Sequence, residues 1–143
     1  MNHSQNRTLL ITGANKGIGY GVVEKLISDP TPYNIIFTSR DETLGQKALG
    51  TLKTKYPSST STLTYHQLNV TDNKSVEEFV AWFQKSIGKL DILVNNAGIA
   101  FGTTDEEKKN IVKTNYFSVI TLTDKLLPFL SEDGKILNIS SNI

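Results

Sequence analysis

Leu9-Leu10-Ile11-Thr12-Gly13-Ala14-Asn15-Lys16-Gly17-Ile18-Gly19 joins a short apolar run to a turn holding three glycines. Beyond it, Ile18, Val22, Val23, Leu26 and Ile27 recur at helical spacing, so the turn links a buried strand to an amphipathic helix. Glycines at such a turn let the chain reverse, let an anion approach the backbone, and let helix pack on strand. The free N–H groups of the helix start then face a negatively charged ligand. Strand, glycine loop and helix together make a phosphate site. The spacing is Gly-x-x-x-Gly-x-Gly, not Gly-x-Gly-x-x-Gly, and the remaining chain has to supply the context.

That context is about one domain long: 143 residues, enough for one sheet with helices on its faces. Fifteen basic residues balance fourteen acidic ones, which gives no reason to expect nucleic acid or an anionic membrane as partner. The absence of cysteine excludes disulfides, thiol catalysis and thiolate metal sites, and with only His3 and His66 no metal centre is expected. The first residues are polar and no apolar run is long enough to span a bilayer, so the expectation is a soluble, cytoplasmic protein.

Outward from the glycine turn, strand and helix patterns alternate. A strand is expected over 33–39, a helix over 41–56 stopped by Pro57, and a third strand over 63–70. A helix capped by Asp72 or Asn73 carries Val76, Phe79, Val80, Phe83 and Ile87 as an apolar stripe and ends at Gly88. A fourth strand over 90–94, a long helix over 105–130 bent near Pro128, and a fifth strand over 135–139 complete the pattern. Such alternation implies crossover units and a parallel sheet. The fold class is therefore α/β, a Rossmann-type doubly wound parallel sheet, in a single domain over 1–143.

In such sheets ligands sit beyond the carboxyl ends of the strands, and the unusual residues fall there. Arg40, twenty-one residues after Gly19, stands where an adenosine ribose is met; its planar fork suits a 2′-phosphate, with Lys16 as a second charge. The pair points to NADP(H) over NAD. Asn69 would stand beside adenine, where its amide oxygen could accept from the exocyclic amine or equally cap its own loop. Asn95-Asn96-Ala97-Gly98 allows close approach to the nicotinamide side while its amides bridge strands. Asn115 lies inside a helix, where an asparagine costs stability unless it faces solvent or holds a water or substrate, and the Ser141 hydroxyl could donate to a substrate carbonyl.

Thr12 to Gly19, Asn95-Asn96-Ala97-Gly98, the helix around Asn115 and Asn138-Ile139-Ser140-Ser141 resemble, in order and spacing, the short-chain dehydrogenase/reductases. Asn15-Lys16, Thr38-Ser39-Arg40-Asp41, Gly98-Ile99-Ala100-Phe101 and Lys113-Thr114-Asn115-Tyr116-Phe117 bring the likeness closest to the NADPH-dependent carbonyl reductases. The resemblance implies a cofactor site of Gly13, Asn15, Lys16, Gly17, Ile18, Gly19, Ser39, Arg40, Asn69, Val70, Asn96, Ala97 and Gly98. It also implies Ser141 as the group that aligns and polarises a small-molecule ketone or aldehyde, and Asn115 as holder of a water in a proton relay. The acid common in the family at the Asn69 position is replaced here by an amide.

Members of that family continue past this serine to Tyr-x-x-x-Lys, whose tyrosine is the general acid. The 143 residues contain no such motif, since neither Tyr20 nor Tyr116 has a lysine four positions on. The sequence therefore reads as the front part of a longer reductase, with Ile136 to Ile139 expected on an exposed apolar sheet edge. The alternative is a dinucleotide-binding or interaction module without catalysis.

Overall fold

The computed structural model describes residues 6–140. Five parallel strands run β1 (Arg7–Ile11), β2 (Tyr33–Ser39), β3 (Thr62–Gln67), β4 (Leu90–Asn95) and β5 (Leu130–Asn138), in the sheet order β3-β2-β1-β4-β5. The helices are α1 (Gly17–Ser28), α2 (Glu42–Lys55), α3 (Asn73–Ser86), α4 (Asp105–Val112) and α5 (Ser118–Leu126). This is the Rossmann-type sheet that strand–helix alternation implies.

At β1, β2 and β4 both sheet faces are covered, which is why these strands read as continuous apolar runs instead of alternating ones. Leu9 and Ile11 of β1, with Ile35 and Phe37 of β2, pack under α1 and α2 through Val23, Ile27, Leu49 and Leu52. Leu10 and Ile36 point the other way, against Val76, Phe79 and Phe83 of α3 and Leu122 and Leu126 of α5. Successive residues serving opposite layers is the period-two rule of a strand. Asp72 caps α3, and Gly88, at φ +78°, ends that segment with its N–H on the Phe83 carbonyl at 2.9 Å.

Two expectations need correction. The long helix over 105–130 is not one helix: α4 passes through a π-helical turn at Lys113–Phe117 into α5, then a 3₁₀ turn at Leu127–Phe129. Pro128 causes only the last break. Thr104 opens α4 through a capping box with Glu107, whose carboxyl is held below the ordinary range by the backbone N–H groups of Thr104 and Thr103. The fifth strand begins at Leu130, five residues before the expected start, because its pairing with β4 resumes across an irregularity: Leu90 faces Leu130, and Ile92 faces Lys135. The edge itself is as expected, with Ile136, Leu137 and Ile139 all exposed.

Candidate functional site

The glycine turn leaves β1 at the middle of the sheet, where the strand order changes direction between β1 and β4. That switch point is where a crevice opens in this architecture. Two bonds fix the turn from below: the Thr12 N–H donates to the Val94 carbonyl at 3.2 Å, and the Ala14 N–H to the Thr38 carbonyl at 2.9 Å. The second is possible because Ile11 pairs with Phe37, so β2 runs further than β1.

The three glycines divide their work in a legible way. Gly13, at φ +62°, lies so close to Ala97 that a Cβ would stand 2.9 Å from its Cα. A Cβ on Gly19 would fall 2.5 Å from Asn96 Nδ2 and 2.7 Å from the Gly13 carbonyl. Gly17, at φ +60°, has nothing within 4 Å of that position. Gly13 and Gly19 thus serve close packing, whereas Gly17 leaves open space in front of the first turn of α1.

That first turn is electrostatically distinct. Asp41 caps α2 on the Leu44 N–H, Asp72 caps α3 on the Lys74 N–H, and Thr104 caps α4. At α1 the N-cap residue is Lys16, which makes no side-chain capping bond, and the first turn holds no acid. Its orphan N–H groups and the positive end of the helix dipole are left for an external anion. Ile18, 64% exposed, and the exposed Lys16 flank this opening.

Asn95, Asn96 and Ala97 tie the β4 end to its neighbours. The Asn95 Nδ2 donates to Thr123 Oγ1 at 3.1 Å and to Asn138 Oδ1 at 2.9 Å, joining β4 to α5 and β5. The Asn96 Nδ2 donates to the carbonyls of Thr12 and Gly13, both at 3.1 Å. The Thr12 hydroxyl, 2% exposed, accepts the N–H groups of Asn96 at 3.0 Å and Ala97 at 2.9 Å. Sequence reasoning gave Thr12 no role. Its signal was its position, a hydroxyl between a buried strand and a loop with amides to satisfy.

Asn115 sits in the π-helical turn and resolves the cost of an asparagine there. Its Oδ1 accepts the Ile99 N–H at 2.9 Å and its Nδ2 donates to the Ile99 carbonyl at 2.8 Å. The amide replaces a strand partner and holds the loop after Gly98 at both polar groups, so the side chain clasps backbone. π turns of this kind recur at functional sites.

At the β2 end Arg40 is exposed, and its guanidinium forms no ion pair among the described residues. Asp41 does not pair with it, being held by the start of α2. The turn's backbone is fixed instead: Gln67 Nε2 donates to the Arg40 carbonyl at 3.0 Å, and the buried Ser39 hydroxyl donates to the Asp41 carbonyl at 2.8 Å. Ser39 also shares a 2.9 Å hydrogen bond with Tyr65, whose phenol is pushed up by burial. At the β3 end, Asn69 Oδ1 accepts from the Thr71 N–H at 3.2 Å and hydroxyl at 2.9 Å, which is the loop-capping arrangement. Val70 is half-buried beside it, and Asn15 half-buried in the glycine turn. Ser141 lies outside the described residues. The glycine turn, Arg40, Asn69 and the Asn96–Gly98 loop therefore share one sheet edge, as a dinucleotide site requires. His66 lies elsewhere, its ring 4.5 Å from Trp82 and 5.3 Å from Phe79.

No helix among the described residues is long and apolar enough to cross a membrane. A family model described as short chain dehydrogenase matches residues 7–143. Carbonyl reductase (NADPH) 1 of Bos taurus is 37% identical over 143 residues, a match covering 96% of this chain and 50% of that protein. (+)-Neomenthol dehydrogenase of Arabidopsis thaliana is 33% identical, covering 96% of this chain and 54% of that protein. Menthone neomenthol reductase from Mentha piperita superposes with a TM-score of 0.87 at 28% identity, over 96% of this chain and 61% of the other. The chain spans about half the length of the curated relatives it matches.

Proposed function

We propose that this chain, which belongs to the short-chain dehydrogenase family, forms the dinucleotide-binding half of an NADPH-dependent carbonyl reductase. The observation that carries the reading is the α1 start: uncapped, free of acids, opening from a glycine whose Cβ position faces empty space, with Lys16 and Arg40 unpaired among the described residues. Bovine carbonyl reductase, 37% identical, is named for NADPH, and the reading carries that cofactor to this chain.

The residues present fit a phosphorylated dinucleotide. Gly13, Asn15, Gly17, Ile18 and Gly19 would hold the pyrophosphate through backbone N–H groups. Lys16 and Arg40 would neutralise the 2′-phosphate, Arg40 through its planar fork. Ser39 would back that end, Asn69 and Val70 would line the adenine, and Asn96, Ala97 and Gly98 would border the nicotinamide ribose. When bound, the nicotinamide supplies the hydride that reduces a ketone or aldehyde carbon. Ser141 would donate a hydrogen bond to the substrate oxygen, and Asn115 would support the proton path; its side chain is held by Ile99, so a relay water would have to meet its backbone. The same reading would place the protein in the cytoplasm.

A second reading has its own support. The groups that would hold a dinucleotide are all among these residues, whereas the family's Tyr-x-x-x-Lys, whose tyrosine would protonate the alkoxide, is not one of them. On that reading the chain binds dinucleotide without turnover. Titration of the chain with NADPH and NADH tests the cofactor site that both readings share. NADPH oxidation over a panel of ketones and aldehydes by the whole protein that carries these residues separates them: turnover supports the reductase, and binding without turnover there supports the module. Arg40→Asp is expected to move preference toward NADH; an unchanged ratio of the two affinities removes Arg40 from the site.

A further inference from the structure

Tyr65 and Gln67 lie two apart on β3, so their side chains leave the same face of the sheet's edge strand. Both reach the turn that ends β2. Gln67 Nε2 donates to the Arg40 carbonyl at 3.0 Å, while Tyr65 shares the Ser39 hydroxyl that holds the Asp41 carbonyl. The other end of the Gln67 amide is also engaged: its Oε1 accepts from the Ser75 hydroxyl at 3.1 Å, and Ser75 Oγ accepts the Asn69 N–H at 2.9 Å. One amide therefore connects the backbone carrying Arg40 to the backbone carrying Asn69. Gly45 closes the arrangement, since a Cβ there would stand 2.2 Å from Ser39 Oγ and 2.6 Å from the Tyr65 hydroxyl.

We infer that Gln67, assisted by Tyr65, is a positioning residue that sets cofactor preference by holding the Arg40 backbone at a fixed distance from the Asn69 loop. The inference rests on Arg40 as the 2′-phosphate ligand. The Arg40 side chain has no ion-pair partner among the described residues, so its reach is governed by where its backbone stands. An arginine fork gives full benefit only when both of its donors meet the anion together, which makes that backbone position count. Gln67 is half-buried; its bond with Ser75 is shielded in part from competing water, while its bond to the Arg40 carbonyl is exposed.

The test measures dissociation constants for NADPH and NADH by fluorescence titration of the purified full chain. Gln67→Met, which keeps length and removes both polar ends, is expected to lower the NADPH-over-NADH preference about three- to tenfold, the range for loss of the one hydrogen bond of the two that holds the Arg40 carbonyl. Tyr65→Phe deletes a single oxygen and is expected to shift the ratio in the same direction by less. In an Arg40→Ala background Gln67→Met should leave the ratio unmoved, because nothing remains to be positioned. A merely structural role would weaken both cofactors equally and persist in that background. If Arg40→Ala itself leaves the ratio unchanged, the 2′-phosphate reading fails. If Arg40→Ala lowers the ratio and neither Gln67→Met nor Tyr65→Phe does, the positioning role fails alone.

Discussion

Residues up to Asn95 and residues from Asn96 onward differ in how they cover apolar surface. In the first part, β1, β2 and β4 bury their central residues between α1–α2 and α3, and among the described residues only Ile18 and Leu44 are large exposed apolar residues. In the second, Phe101 is 85% exposed, Tyr116 and Phe117 are exposed on the π-helical turn, and β5 has no fully buried residue. α4 buries nothing, whereas α5 contributes Leu122 and Leu126 to the core under α3. The same sheet thus has a closed side and an open side, and the glycine turn stands between them. The closed side carries the groups suited to an anion, and the open side carries an apolar surface of the kind that substrates or further protein cover.

Two aromatic truncations put the largest strain on this contrast. Phe79 is fully buried among Phe83, Trp82 and His66, so Phe79→Ala should cost about 3–5 kcal/mol of unfolding free energy. Phe117→Ala, at a position 57% exposed, should cost no more than about 0.5 kcal/mol. Urea unfolding of the two variants measures the difference directly. Comparable losses would mean that the open side is packed in solution, and the contrast would fall.

A smaller change probes the seam. Thr12→Val keeps the side chain's shape but removes the oxygen that accepts the Asn96 and Ala97 N–H groups. Leaving buried donors unpaired costs about 1–3 kcal/mol, and the loop they belong to should loosen. Dinucleotide affinity should fall with stability, since the proposed site has the same loop as its border. A variant that loses stability and keeps its affinity would show that the Asn96–Gly98 loop does not shape the cleft.

The sequence made the closed side legible because its signals are local. Alternation of apolar runs located β1, β2 and β4, and glycine, asparagine and arginine at strand ends marked one edge. Bonds between distant residues left less trace. Asn115 reads in sequence as a poor helix residue; that it clasps Ile99 depends on a π turn that no composition rule signals. The Gln67 bridge joins residues whose nearness comes only from β2 pairing with β3, Ser39 opposite Gln67. β5 began earlier than its apolar residues suggested, because Ser131, Glu132 and Asp133 carry no strand pattern and fall in the irregularity between the Leu90–Leu130 and Ile92–Lys135 pairs.

The smallest expected effect lies at the far end of the strands, where Asp91 links both sides. Its Oδ2 accepts the Thr8 N–H of β1 at 2.8 Å, and Ser131 of β5 is also against it. Burial pushes its carboxyl up, yet the Thr8 N–H, the Ser131 hydroxyl and the charges of Lys89 and Arg7 together hold it below the ordinary value. A depressed folded-state value means that the charged form is favoured by folding. Its stabilisation is full above the unfolded value of about 3.9 and is lost as pH falls through the lower, folded value. The wild-type chain should therefore lose stability below about pH 4 more steeply than Asp91→Asn, with the two curves parallel above that. If the curves stay parallel through the acid range, Asp91 is not held in its charged form and the two sides meet there by packing alone.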